Sequence, residues 1–167
     1  MVSIREIQVV GQTQMNELEA ALGAIQEGAP VFRARANARF GDKASGRMEF
    51  YLPKRWQALQ PDRRQIDGWS PGDALCLATG HVVDAIDVDT KNGASVVEEI
   101  DRLCELGVTI VGVVRTPSGG AHLYVKTTGI RSSANTKTGV DYRGGDADGF
   151  GRGFLYLPGT ARPKYAG

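Results

Sequence analysis

Six short β-prone runs fill most of residues 74–157 and leave room among them for a single helix. The runs are 74–78, 82–88, 108–114, 121–126, 140–143 and 153–157, with glycine-rich or polar turns between most of them. Parallel strands need a crossover of a dozen or more residues, whereas antiparallel neighbours need only a tight turn. Only the 88–108 gap holds a helical pattern. Ser95 stands at its start, Val96, Val97, Ile100, Leu103 and Cys104 form one stripe, and Gly107 stops it. The chain is therefore expected to be α+β, with mixed but mostly antiparallel sheets and one crossover helix. Thr79-Gly80-His81 reads as a hairpin-like junction between the first two runs, and 108–114 as a buried strand.

Upstream, Met15, Leu18, Ala21, Leu22 and Ile25 recur at helical spacing. Thr13 is the expected N-cap of that helix, and Gly28 lies beyond its end. Residues 31–36 alternate as a strand that puts Arg33 and Arg35 on one face. From residue 40 to 73 the chain is basic and irregular, broken by Pro53, Pro61, Gly68 and Pro71. That stretch predicts a surface segment with a few short helices. There is no internal repeat.

The chain has 167 residues and a net charge of only +1, so total charge does not mark a nucleic-acid binder. Its distribution does more. Residues 31–65 carry nine bases against three acids, and residues 115–167 eight against three. Between them, residues 66–114 carry nine acids against two bases. An acidic centre flanked by basic segments suits a metal site set between phosphate-holding surfaces. Cys76 and Cys104 match no metal-ligand spacing and read as buried, reduced thiols. The first 30 residues lack a basic stretch followed by an apolar run, and nothing approaches the ~18 apolar residues of a membrane span. A cytoplasmic protein without membrane contact is the expectation.

Three constellations carry chemistry. In Ala85-Ile86-Asp87-Val88-Asp89 the two aspartates are spaced i, i+2, so both carboxylates leave the same face of a strand. Carboxylates that close repel unless a cation lies between them, and hard oxygen donors favour Mg²⁺ or Mn²⁺. The second, Arg115-Thr116-Pro117-Ser118-Gly119-Gly120-Ala121-His122, links two predicted strands. Its glycines would let backbone N–H groups approach an anion, with Arg115, Ser118 and His122 adding donors. The third, Gly139-Val140-Asp141-Tyr142-Arg143-Gly144, sets an aspartate in an apolar strand, where it needs a partner or a metal.

The order DxD, then GGxH, then a hydrophobic-Asp strand resembles the three motifs of the archaeo-eukaryotic primase superfamily. More specifically, it is similar to the bifunctional primase–polymerase (Prim-Pol) domains of phages and plasmids. Trp69, Leu77-Ala78-Thr79-Gly80, Asn92-Gly93, Tyr124, Leu157-Pro158 and Tyr165 follow the same order, and the likeness covers about residues 50–167. Three departures stand out. Asp89 replaces the glutamate of many relatives, the insertion 145–152 is longer than expected, and no zinc-binding cysteine set is present.

The resemblance implies two packed α/β modules, the C-terminal one RNA-recognition-like, with the active site in the cleft between them. Residues 1–167 would be one catalytic domain excised from a longer replication protein that also bears a helicase. Its activity would be template-directed nucleotidyl transfer, as DNA primase and DNA polymerase, in phage or plasmid replication within a bacterial cell. Asp87, Asp89 and Asp141 would hold two Mg²⁺ or Mn²⁺ ions. His122, supported by Gly119, Gly120, Ser118 and Arg115, would contact the phosphates of the incoming dNTP or NTP. Arg33, Arg35, Arg39, Lys54, Arg55, Arg63 and Arg64 are the expected contacts to single-stranded DNA template and primer, with Trp56 or Tyr51 stacking on a base. Two other readings are a non-catalytic single-stranded nucleic-acid-binding module, suggested by Arg152-Gly153-Phe154-Leu155-Tyr156, and a metal-dependent nuclease.

Overall fold

The computed structural model describes residues 16–36, 50–135, 137–146 and 148–160. Two four-stranded sheets form the frame, and every pairing between their strands is antiparallel. The parallel component expected of a mixed sheet is not found among these pairings.

The first element among the described residues is helix α1, Glu17–Gln26. Its cap is Asn16 rather than Thr13. The Asn16 side chain accepts from the Glu19 amide at 2.9 Å, and the Glu19 carboxylate accepts from the Asn16 amide at 3.1 Å. This reciprocal box satisfies two donors that a helix start leaves open. Thr13 and Met15 lie outside the described residues. Strand β1 (Val31–Ala36) follows, then β2 (Phe50–Tyr51), two single turns of 3-10 helix, and β3 (Ala74–Ala78). With the late strand β8 (Phe154–Tyr156) they form a sheet in the order β2-β1-β3-β8.

Alternation along β1 divides its side chains between two cores. Val31 joins Leu75, Leu77 and Leu157 under Ala21 of α1, while Phe32 and Ala34 face the opposite side. There Phe32, Phe154 and Trp56 stack with centroids 5.2–5.9 Å apart. Trp56 is thus half-buried against this aromatic cluster rather than standing free in a surface loop. Phe154 and Tyr156 belong to the same cluster.

The second sheet contains β4 (Val83–Val88), β5 (Ile110–Arg115), β6 (Ala121–Lys126) and β7 (Val140–Arg143), in the order β5-β6-β4-β7. Helix α2 (Val96–Glu105) connects β4 to β5. It starts on Ser95, whose hydroxyl accepts from the Glu98 amide at 3.3 Å. Val96, Ile100 and Leu103 press onto Ile86, Val88, Leu123 and Val125. Val97 and Cys104, one position further round, are exposed. Only Cys76 is therefore the buried thiol that the sequence suggested.

Two further expectations need correction. β3 and β4 do not form a hairpin, because they belong to different sheets. The Thr79 hydroxyl donates to the Gly144 carbonyl and accepts from the Gly153 amide, tying the junction to the chain entering β8. Gly80 sits so near Gly145 that a Cβ would lie 2.5 Å from its Cα. A tight turn and a passage between sheets use the same residues. Likewise β5 is not a buried strand. It lies at the sheet edge, and Val111 and Val113 are 52% and 40% exposed. Among the described residues, no helix is long and apolar enough to cross a membrane.

Candidate active site

The site grows from the alternation of β4. Ile86 and Val88 point into the core beneath α2, so Asp87 emerges on the other face. Being central, β4 has a neighbour on each side. Asp87 stands opposite His122 of β6 and opposite Asp141 of β7. Residues directly opposed across antiparallel strands share a face. Three side chains from distant parts of the chain therefore form one row: His122, Asp87, Asp141.

Within the row, His122 Nε2 lies 3.5 Å from Asp87 Oδ1. Asp141 Oδ1 accepts from the Asn135 amide at 2.8 Å. Arg143, two residues beyond Asp141 on the same face, places Nη2 2.9 Å from Asp141 Oδ2 and 3.6 Å from Asp87 Oδ2. Tyr124, on the same face of β6 as His122, is pushed up to about 12 by burial and by the charge of Asp87.

Asp89 continues the face past the end of the strand, but its carboxylate serves its own turn. Oδ1 accepts from the Lys91 amide at 3.0 Å and Oδ2 from the Asn92 side-chain amide at 3.1 Å. Each carboxylate oxygen retains a further lone pair. Among the described residues, no group of three His, Cys, Asp or Glu side chains is gathered closely enough to hold a metal ion.

The row opens into a cavity of about 610 Å³. Asp87, Asp89, Arg115, Ser118, His122 and Asp141 all line it, as do Lys91, Thr116 and Arg143. Residues 156–160, the end of β8 and the turn after it, supply wall from the other sheet. That wall is anchored by the buried Glu17. Its Oε1 accepts from the Leu75 amide at 2.7 Å and from the Thr160 hydroxyl at 2.6 Å.

Gly119 and Gly120 are not among the lining residues, and their geometry has another cause. The Gly119 amide donates to the Thr116 carbonyl within the turn, so it is committed. A Cβ on Gly120 would lie 2.1 Å from the Val88 carbonyl oxygen. The second glycine thus lets β6 begin close against the end of β4, which aligns His122 with Asp87. The i, i+2 spacing from Asp141 on one strand is the sequence signal that places Arg143 on the same face. Of the 156–160 wall, only Leu157-Pro158 stands in the family-like order, and that order gives it no role.

A second hollow, of about 300 Å³, lies on the first sheet and is lined by Arg33, Arg35, Tyr51, Leu52, Pro53, Gln65 and Asp67. Arg35 and Tyr51 are directly opposed on β1 and β2, and both are exposed. Arg33 is engaged with Asp73 at 2.7 Å and Arg64 with Asp62 at 2.7 Å. Arg39 lies outside the described residues.

A two-sheet α+β domain with an acid–histidine–arginine row in a polar cavity is the class defined by fold and site. The family model for the bifunctional DNA primase/polymerase N-terminal domain matches residues 21–165, and the chain belongs to that family. Neither a curated protein nor a solved structure shows a significant match to it.

Proposed function

We propose that this cavity is a nucleotidyl-transfer site, and that the chain acts as a template-directed DNA primase and polymerase. The observation carrying this reading is the row in which Asp87 faces His122 on one side and Asp141 on the other. Family membership supports the same chemistry.

The donor chemistry, hard carboxylate oxygens, suits divalent ions, although the three aspartates are not gathered into one ligand cluster in the structure. Two carboxylates sit in facing register, and a cationic group is already drawn between them. Asp87 and Asp141, joined by Asp89, would hold Mg²⁺ or Mn²⁺ in a two-ion site. Bound there, such ions neutralise the charge of a polyphosphate and activate a primer hydroxyl. The chain's own groups do the rest. Arg115, Ser118 and His122 converge from β5, its turn and β6 on the cavity, where they would bind and orient the phosphates of a dNTP or NTP. The 156–160 wall would exclude water and limit how the nucleotide sits. Gly119 and Gly120 contribute by shaping the turn.

The second sheet supports an RNA-recognition-like module. In chain order its strands lie second-third-first-fourth, with α2 as the crossover of a split β-α-β unit. Single-stranded DNA template and primer would run over the basic first sheet, with exposed Tyr51 beside Arg35 in place of Trp56. Residues 1–167 then form one catalytic domain of a phage or plasmid replication protein that works with a helicase.

The test is extension of a labelled primer with Mn²⁺ and each nucleotide type, repeated without primer. Asp87→Asn should lose synthesis by at least about a hundredfold with its circular dichroism spectrum intact. Extension by Asp87→Asn at the unmodified rate sinks the assignment, and degradation of the primer instead of growth would identify a nuclease.

A further inference from the structure

Arg143 stands where the site's electrostatics are most demanding. Its Nη2 is shared between Asp141 Oδ2 at 2.9 Å and Asp87 Oδ2 at 3.6 Å. The position is built rather than incidental. A Cβ on Gly153 would lie 3.1 Å from Arg143 Cδ and 3.2 Å from its Cβ, so that glycine leaves room for the stem. Asp141 is further fixed by the Asn135 amide. Without a cation, carboxylates on directly opposed residues repel. The guanidinium relieves that repulsion by placing positive charge beside the same two carboxylates that a divalent ion would need.

We propose that Arg143 is a resident counter-cation, which competes with the divalent ion for Asp87 and Asp141 and so sets how tightly the site loads metal. The inference rests on the nucleotidyl-transfer reading above. It has a definite sign. If Arg143 only positioned the carboxylates, its loss would weaken metal binding; as a competitor, its loss strengthens it.

The measurement is Mn²⁺ binding to the full chain, by electron paramagnetic resonance and calorimetry, without nucleotide or DNA. Arg143→Gln keeps most of the stem and removes the charge. Relieving a partly exposed ion pair should tighten Mn²⁺ binding by roughly two- to fivefold. The melting temperature without metal should fall, and the rise on adding Mn²⁺ should be larger than in the unmodified chain. Arg143→Lys keeps charge but not the planar fork, and should fall between the two. Unchanged or weaker Mn²⁺ binding in Arg143→Gln overturns the proposal. Should that variant not fold, unchanged or weaker binding in Arg143→Lys does so. Asp87→Asn separates the two levels. If it binds Mn²⁺ as the unmodified chain does, the site reading itself is wrong; if it loses Mn²⁺ while the Arg143 variants do not tighten, only the counter-cation role fails.

Discussion

Glu17 gives the most exacting test of how the cavity wall is held. It lies in the first turn of α1 and is 6% exposed, yet it binds two distant segments through one oxygen. Replacing it with alanine removes hydrogen bonds from the Leu75 amide and the Thr160 hydroxyl. Each is worth about 1 kcal/mol, and the buried Leu75 amide left unpaired adds about 1–3 kcal/mol. Relief of carboxylate burial offsets part of that, leaving a loss of about 2–3 kcal/mol. Such a loss corresponds to a fall of about 5–10 °C in Tm for a chain of this size. Glutamine is the informative partner, because its Oε1 can accept both bonds without charge. Burial raises the Glu17 pKa above its ordinary 4.5, against the opposing bonds from Thr160 and Leu75. The unfolded chain therefore gives up this proton first. The stability tied to Glu17 is complete below pH 4.5 and is lost as pH rises through the folded value. Glu17→Gln escapes that loss, so its stability relative to the unmodified chain should grow from pH 4.5 towards neutrality. Urea melts followed by circular dichroism at several pH values check both variants. A Glu17→Ala cost within about 0.5 kcal/mol would refute the reasoning, since that is the range of an ordinary surface change.

Three further outcomes follow from the geometry. Gly120→Ala should cost about 3 kcal/mol, because its Cβ meets the Val88 carbonyl and β6 must move away from β4; thermal melts measure the cost, and primer extension should fall more steeply than stability explains. Tyr142 is pushed up to about 12 by burial and by its bond to Asp84. Its folded value exceeds its ordinary one of 10, so the stability it brings is lost as pH rises from 10 towards 12; Tyr142→Phe should flatten the stability profile over that window in denaturant titrations. Tyr51→Ala should weaken binding of single-stranded DNA by about 1–3 kcal/mol, with strong salt dependence in both proteins; fluorescence anisotropy at several salt concentrations decides, and an unchanged affinity removes the stacking role.

Local elements were the most legible features of the sequence. Helix α2 appeared from the Ser95 cap, the Val96–Ile100–Leu103 stripe and the Gly107 stop, because all of these act within a few residues. β1 and β6 were equally plain, with bounds identical to those expected. Pairings were harder. Thr79-Gly80-His81 has the composition of a hairpin turn, but Thr79 is held by Gly144 and Gly153, over sixty residues away in the chain. Trp56 lies in a basic, irregular stretch of sequence, and only the fold brings Phe32 and Phe154 against one side of it. Val97 and Cys104 fit the apolar stripe of α2, yet both are exposed in the fold.

What the chain determines by itself is the facing of Asp87. With Ile86 and Val88 drawn inward, strand alternation leaves its carboxylate no choice of side, and that follows from local covalent geometry. Which groups would meet it there was decided only by the fold. His122 and Asp141 arrive because β6 and β7 bury their apolar faces under α2, and residues 156–160 because β8 pairs with β3 in the other sheet. Burial of apolar surface is indifferent to sequence distance, so it can bring together charges whose positions along the chain reveal nothing of their meeting.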